Sequence, residues 1–174
     1  ITLEMAEEKI AERIDANLLD VSLNDLQDLP KSMYKKKIKR VREKTKGKLI
    51  VKEYPTASAH SGHIRHLLQE LDLKKRFEPD IIFIDYLNIC ASFRIRPGSN
   101  MNTYTYVKAI AEEMRGLAVE FNVPIMSATQ TNRAGFVSTD IGLEDTAESF
   151  GLPATADFMF ALISTEDLQE LDQI

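Results

Sequence analysis

Asp80-Ile81-Ile82-Phe83-Ile84-Asp85-Tyr86-Leu87 is the stretch on which the reading of the chain turns. Four consecutive large apolar residues, three of them β-branched, stand between carboxylates with no alternating polar face. Such a run reads as a strand buried on both sides, the environment of a parallel sheet. Asp85, where the strand runs out of core, then lies at the carboxyl edge of the sheet, where open α/β sheets bind their ligands. An apolar strand followed by Asp is also the pattern of a Walker B element, whose carboxylate orients water around the Mg²⁺ of a bound nucleotide. Buried strands ending on an acid are common, so the motif alone leaves both readings open.

Downstream, Asn88 to Thr103 holds Arg94, Arg96, Pro97 and Gly98 with almost no periodicity, which predicts a long loop of the kind that carries function. A helix is expected next, with Val107, Ile110, Ala111, Met114, Leu117, Ala118 and Phe121 on one stripe, stopped by Asn122-Val123-Pro124. Ile125 to Gln130 reads as another strand ending on a polar side chain. A second loop runs from Gln130-Thr131-Asn132-Arg133 to about Gly151, a last strand is expected from Phe158 to Ile163, and Ser164 or Thr165 is placed to cap a closing helix.

Upstream, Leu49 to Tyr54 reads as a strand and Ile64, Leu67, Leu68 and Leu71 as the stripe of a helix. His60, His63 and His66 fall at the start of that helix. With no cysteine or carboxylate at ligand spacing, they read as polar residues of a helix start rather than a metal site. Ser22 to Gly47 reads as polar helix interrupted at Pro30, with Ser22 and Asp25 in a capping arrangement. From Lys31 to Lys48 there are ten basic residues against the single acid Glu43. That run is either a phosphate-contacting face or a solvated helix, and it lacks interleaved aromatics for stacking bases.

Ile1-Thr2-Leu3-Glu4-Met5 resembles the end of a strand with Glu4 at its tip, followed at once by a helix striped with Ile10, Ile14, Leu18 and Val21. A strand that begins with its own last residues predicts a piece of a longer protein. The composition, 44% hydrophobic and 28% charged over 174 residues, suits one soluble globular domain. No apolar run approaches a membrane span, and the single Cys90 excludes an internal disulfide, so the expected compartment is a reducing cytosol. The net charge of −5 argues against a surface uniformly devoted to nucleic acid while allowing a local groove.

The element order predicts an α/β fold, a mostly parallel sheet flanked by helices with right-handed crossovers. Three strands then deliver Glu4, Asp85 and Gln130 to one rim. A carboxylate to polarise water, a carboxylate to hold a metal and an amide to touch a terminal phosphate are the parts a nucleoside triphosphatase needs.

Several segments resemble, in order, the RecA-like motor domain of DnaB-family replicative helicases. They are Leu3-Glu4-Met5 with Arg13, Ile84-Asp85-Tyr86-Leu87, Val123-Pro124 with Gln130-Thr131-Asn132-Arg133, and Glu148-Ser149 ahead of Ala156-Asp157. Runs such as Arg13-Ile14-Asp15-Ala16-Asn17 and Gly151-Leu152-Pro153-Ala154-Thr155-Ala156-Asp157 are similar to the branch found in T-even-type bacteriophages. The resemblance implies that residues 1–174 are part of a RecA-like ATPase domain using ATP and Mg²⁺. It implies that Glu4 activates the attacking water, that Asp85 acts on Mg²⁺, and that Gln130 senses the γ-phosphate and relays its state to the DNA loops. Arg94, Arg96 and Arg133 become the candidates for holding single-stranded DNA. The implied assembly is a homo-hexamer with a primase and a helicase loader as partners, working in the cytoplasm of the host cell if phage-encoded.

The sequence also departs from the family pattern. No G-x-x-x-x-G-K-[ST] occurs in the 174 residues, so the cradle for the β- and γ-phosphates is missing from them. The family's arginine finger would fall past Ile174, and Ala147 stands where bacterial relatives carry an arginine. These 174 residues alone are therefore expected not to hydrolyse ATP at a useful rate. Two other readings stay open: a RecA-like recombinase ATPase, and a non-catalytic module that docks a primase or loader.

Overall fold

A computed structural model of the chain describes residues 1–96, 102–132, 142–143 and 151–163. Helices α1 (Glu7–Leu19), α2 (Leu23–Asp28), α3 (Lys31–Lys44) and α4 (Ser61–Lys75) precede strand β1 (Ile82–Ile84). A short 3₁₀ turn (Leu87–Ile89), helix α5 (Thr103–Phe121), strand β2 (Ile125–Ser127) and helix α6 (Gly151–Thr155) follow.

The sheet is parallel. β1 pairs with β2 in the register Ile82 to Ile125, Phe83 to Met126 and Ile84 to Ser127. On the other side of β1, Thr2 bridges both Asp85 and Glu53 in parallel fashion. Backbone bonds extend the ladder, with Leu3 N donating to Asp85 O, Asp85 N to Ile1 O, Thr2 N to Lys52 O and Tyr54 N to Thr2 O. Four segments therefore lie side by side in the order 52–54, 1–3, β1, β2. The expected strand from Leu49 to Tyr54 is present only at this short junction.

Helices α4 and α5 cover one face. Ile64 and Leu68 of α4, Val107, Ile110, Met114 and Leu117 of α5, and Leu3, Ile82 and Ile84 of the sheet form one buried cluster. Fully burying side chains of this size contributes about 1.5–3 kcal/mol each. The α5 stripe agrees with the 3.6-residue spacing, and its ends are those the sequence implies: the Asn102 side chain accepts from Thr105 N, and Asn122 closes the helix in the left-handed region at φ 49°. Ser22 caps α2 by accepting from Asp25 N, and Pro30 separates α2 from α3.

Three expectations need correction. The central strand is not covered on both sides: Ile82 and Ile84 are buried, whereas Phe83 is 55% exposed and its ladder partner Met126 45%. The described helices pack on one face only, so the alternation forced by the strand's two-residue period turns Phe83 outward. No strand forms from Phe158 to Ile163; Phe160 is 81% and Leu162 98% exposed. A strand needs a neighbour to take its backbone bonds, and among the described residues none lies beside this segment. Finally, α1 is rolled relative to the predicted stripe, burying Ala16 and Leu19 and leaving Leu18 exposed.

Candidate functional site

Because the strands are parallel and in register, their carboxyl ends share one rim, and each end delivers a polar residue there. Glu4 follows the Thr2-Leu3 ladder position, Asp85 follows β1, and Gln130 lies three residues past β2. All three are exposed. The carboxylates of Glu4 and Asp85 make no side-chain hydrogen bond or ion pair with the described residues, so both remain available to a ligand.

The backbone between these residues is closely tied. Ser127 Oγ donates to Ile84 O at 2.7 Å, Leu87 N to Ala128 O at 3.2 Å, and Thr129 Oγ1 to Asn88 Oδ1 at 2.9 Å. Gln130 Nε2 lies 3.4 Å from the Tyr86 hydroxyl, which links the β2 exit to the residue after Asp85. On the other flank Thr56 Oγ1 donates to Leu3 O at 2.6 Å. The Asp85-Tyr86 peptide is cis. Glu7 and Glu53 brace the start of α1 reciprocally, each carboxylate accepting from the other's backbone N–H.

The donor set at the rim is carboxylate oxygen, which suits a hard cation such as Mg²⁺. Among the described residues no group of three or more potential metal ligands gathers in one place. That agrees with a metal held by one or two carboxylates, with water and phosphate completing its shell.

The loop after the 3₁₀ turn is anchored by a residue that the sequence reading missed. Glu113 on α5, its side chain 6% exposed, accepts from Ser92 Oγ at 2.6 Å, Phe93 N at 2.8 Å and Ser61 Oγ at 2.9 Å, with Arg94 N at 3.2 Å. Burial opposes its ionisation, but these donors outweigh it and hold its pKa below the ordinary carboxylate value. Arg94 is drawn into the same cluster. Its guanidinium donates to Glu112 at 2.8 Å and to Ala109 O at 3.0 Å, and lies 3.5 Å from Glu113. Arg96 is exposed and has no such partner among the described residues. Arg133, Ala147 and the Glu148-Ser149 pair lie outside the described residues. No local pattern announces Glu113: it is one of two adjacent acids on a helix, and its partners come from elsewhere in the chain.

The three histidines do not gather a metal. His60 is the N-cap of α4, its Nδ1 accepting from Gly62 N at 3.1 Å, while His63 Nδ1 accepts from His60 N at 3.4 Å. Cys90 is buried and free, and burial pushes its thiol up to about 12, which leaves it an unreactive core residue.

A parallel α/β core with two carboxylates and an amide along its carboxyl rim defines a RecA-like nucleotide-hydrolase fold. The chain belongs to the DnaB-like helicase C terminal domain family, whose model matches residues 1–170. It is 54% identical over 176 residues to the DnaB-like replicative helicase of Enterobacteria phage T4, covering 99% of this chain and 37% of that protein. It is 32% identical over 135 residues to the "Probable plasmid replicative DNA helicase" of Chlamydia trachomatis, covering 76% of this chain and 28% of that protein. The chain thus spans little more than a third of the phage relative. Two solved structures share the fold at 19% identity, each covering 90% of this chain. One is an isolated ATPase domain, with a TM-score of 0.67 and 55% of its chain covered. The other, "The Structure Of A DnaB-Like Replicative Helicase And Its Interactions With Primase", has a TM-score of 0.63 and 37% covered. No helix among the described residues is long and apolar enough to cross a membrane.

Proposed function

We propose that this chain is part of the motor of a hexameric replicative DNA helicase, which hydrolyses ATP to move along single-stranded DNA and unwind duplex ahead of it. The observation that carries the reading is the shared rim of Glu4, Asp85 and Gln130 on adjoining parallel segments. Family membership adds the reaction class.

Each residue then has a role that follows from its chemistry. Glu4 takes the proton of the attacking water. Asp85 holds the metal, directly or through a bound water. A bound Mg²⁺ supplies charge neutralisation at the β- and γ-phosphate oxygens. Gln130 hydrogen-bonds the terminal phosphate, and its contact with Tyr86 ties its position to the Asp85 strand. Phosphoryl transfer asks for positioning and charge more than for covalent help, which is what exposed groups on a braced rim provide.

The DNA-holding residues are proposed on the two loops that leave this rim. Arg96 and Arg133 are the phosphate contacts, and Arg94 reaches DNA only by exchanging Glu112 for a phosphate oxygen. The phosphate cradle is proposed to come from other parts of the complete polypeptide, as is the docking of a primase and a loader. The reaction would take place in the cytoplasm of the host cell.

The test is Glu4→Gln in the complete polypeptide. Nucleotide-dependent assembly should survive while turnover falls by about 10²–10⁴-fold, the range for losing a general base. Open filaments with ATP and DNA in electron micrographs would instead favour a strand-exchange ATPase.

A further inference from the structure

The basic helix α3 takes no part in the rim. Tyr34 donates to Asp15 of α1 and Lys37 Nζ to Leu19 O at 3.4 Å, so α3 lies beside the last turns of α1, the end remote from Glu4. Its thin apolar side, Tyr34, Ile38 and Val41, is half-buried, and the helix has no buried residue. Apart from Lys37, each basic side chain on it is exposed.

The chain's charge is strongly segregated. From Lys31 to Lys48 ten bases face one acid, a net of +9; the remaining residues, with 12 bases and 26 acids, carry −14. The other long helices carry mixed pairs on their exposed faces, as in Lys9 with Glu12, Glu70 with Lys74 and Lys108 with Glu112. On α3 the sole pair joins Lys39 and Glu43 at 3.9 Å, with both side chains well exposed. A pair of that kind neutralises little. At 100° per residue, Lys35, Lys39 and Arg42 form one row and Lys36 and Arg40 the next, so like charges sit at i, i+4 along the helix, an arrangement that repels itself. A face needed only for solvation is better served by alternating signs.

We propose that the outer face of α3 is a second nucleic-acid surface, separate from the rim loops, that grips the phosphodiester backbone without reading sequence. Length fits the partner. Fourteen residues span about 21 Å at 1.5 Å per residue, and one strand of B-DNA carries a phosphate about every 3.4 Å, so the helix lies along about six phosphates. A membrane surface fits less well, because an interfacial helix needs a free apolar face and that of α3 is turned toward α1. Base stacking is absent, since the one aromatic, Tyr34, is held by Asp15. The proposal does not depend on the helicase reading, because it concerns affinity rather than turnover.

The experiment measures binding of the complete polypeptide to an oligo-dT strand and to a mixed-sequence duplex by fluorescence anisotropy, between about 50 and about 200 mM salt. The variant joins Lys35→Gln, Lys36→Gln, Lys39→Gln and Arg40→Gln, all exposed and all replaced by a good helix former. The slope of log K against log salt should flatten by about three units, at about 0.7–0.9 per lost phosphate contact. The loss falls on whichever nucleic acid α3 grips, the single strand, the duplex or both. The matching Lys→Arg set should restore it, and Lys39→Gln alone should flatten the slope by about one unit. Slopes unchanged on both nucleic acids overturn the proposal, as does a loss confined to an acidic protein partner or to anionic vesicles. Failure of the two readings is distinguishable: normal unwinding with unchanged slopes sinks this one, and an α3-dependent slope in a protein that does not unwind DNA sinks only the helicase.

Discussion

The Glu113 carboxylate accepts the Ser92 hydroxyl at 2.6 Å across 21 residues of chain, and so fixes the stem of the first rim loop to α5. The same carboxylate takes Ser61 at the start of α4 and the backbone N–H groups of Phe93 and Arg94. One buried acid therefore holds three segments together.

Removing that acid strands four donors. Glu113→Ala should destabilise the protein by about 2–4 kcal/mol, since a hydrogen bond to a charged group is worth about 1.5–3 kcal/mol and orphaned buried donors add to the loss. Glu113→Gln should lose less, because its amide oxygen still accepts. Urea unfolding checks both. The pH dependence has a definite sign: the folded-state pKa is depressed, so the stabilisation is full above the unfolded value of about 4.5 and is lost as pH falls through the folded value. A Glu113→Gln protein with the same acid sensitivity as the parent contradicts this assignment.

His60 titrates in a different window. Its Nδ1 must be unprotonated to accept from Gly62 N, and its pKa lies below the ordinary 6.5 because of burial, then the neighbouring His63, with Glu113 pulling the other way. The neutral form is the one the fold favours. The cap's contribution is thus complete above about pH 6.5 and declines below it, toward the lowered folded value. Melting temperature should drop across that interval, and His60→Asn, which keeps a capping acceptor, should remove the drop.

Ile110 tests the core. It is fully buried on α5 within the cluster that joins this helix to the sheet. Ile110→Ala should cost about 2–5 kcal/mol, the transfer loss plus the cavity left behind. Chemical denaturation that places the loss below about 1 kcal/mol would mean the site collapses around the gap.

Gln130 tests the relay. In the complete polypeptide Gln130→Ala should retain basal ATP hydrolysis and lose its stimulation by DNA, a coupling of the size usual between linked sites, about 5- to 150-fold. Phosphate release measured with and without single-stranded DNA decides it. A variant that keeps its normal stimulation rules the relay out.

The sheet was readable from sequence because its strands announce themselves at both ends. The apolar run before Asp85 and the Pro124-to-Gln130 segment gave direction and order, and the α5 stripe is confirmed residue for residue by Val107, Ile110, Met114 and Leu117. The rim followed from direction alone, since parallel strands end together. Phe83 misled because four apolar residues in a row say nothing about how many layers cover them. Phe158 to Ile163 misled because β-propensity cannot form a strand without a neighbour. Glu113 and Arg94 were illegible for a third reason: their pairing joins α5 to a loop some 20 residues away, and no local spacing encodes it.

Helix α5 carries Glu113 and, two residues on, Arg115, which donates to Thr155 O and to Asp157 beyond α6. At about 100° per residue those two side chains leave different sides of one rod. The stem of one loop and the chain that follows the other are thereby fastened to a common strut. Sliding the strut along its axis would drag both attachments at once, so neither loop can be repositioned by a shift of α5 while the other stays behind.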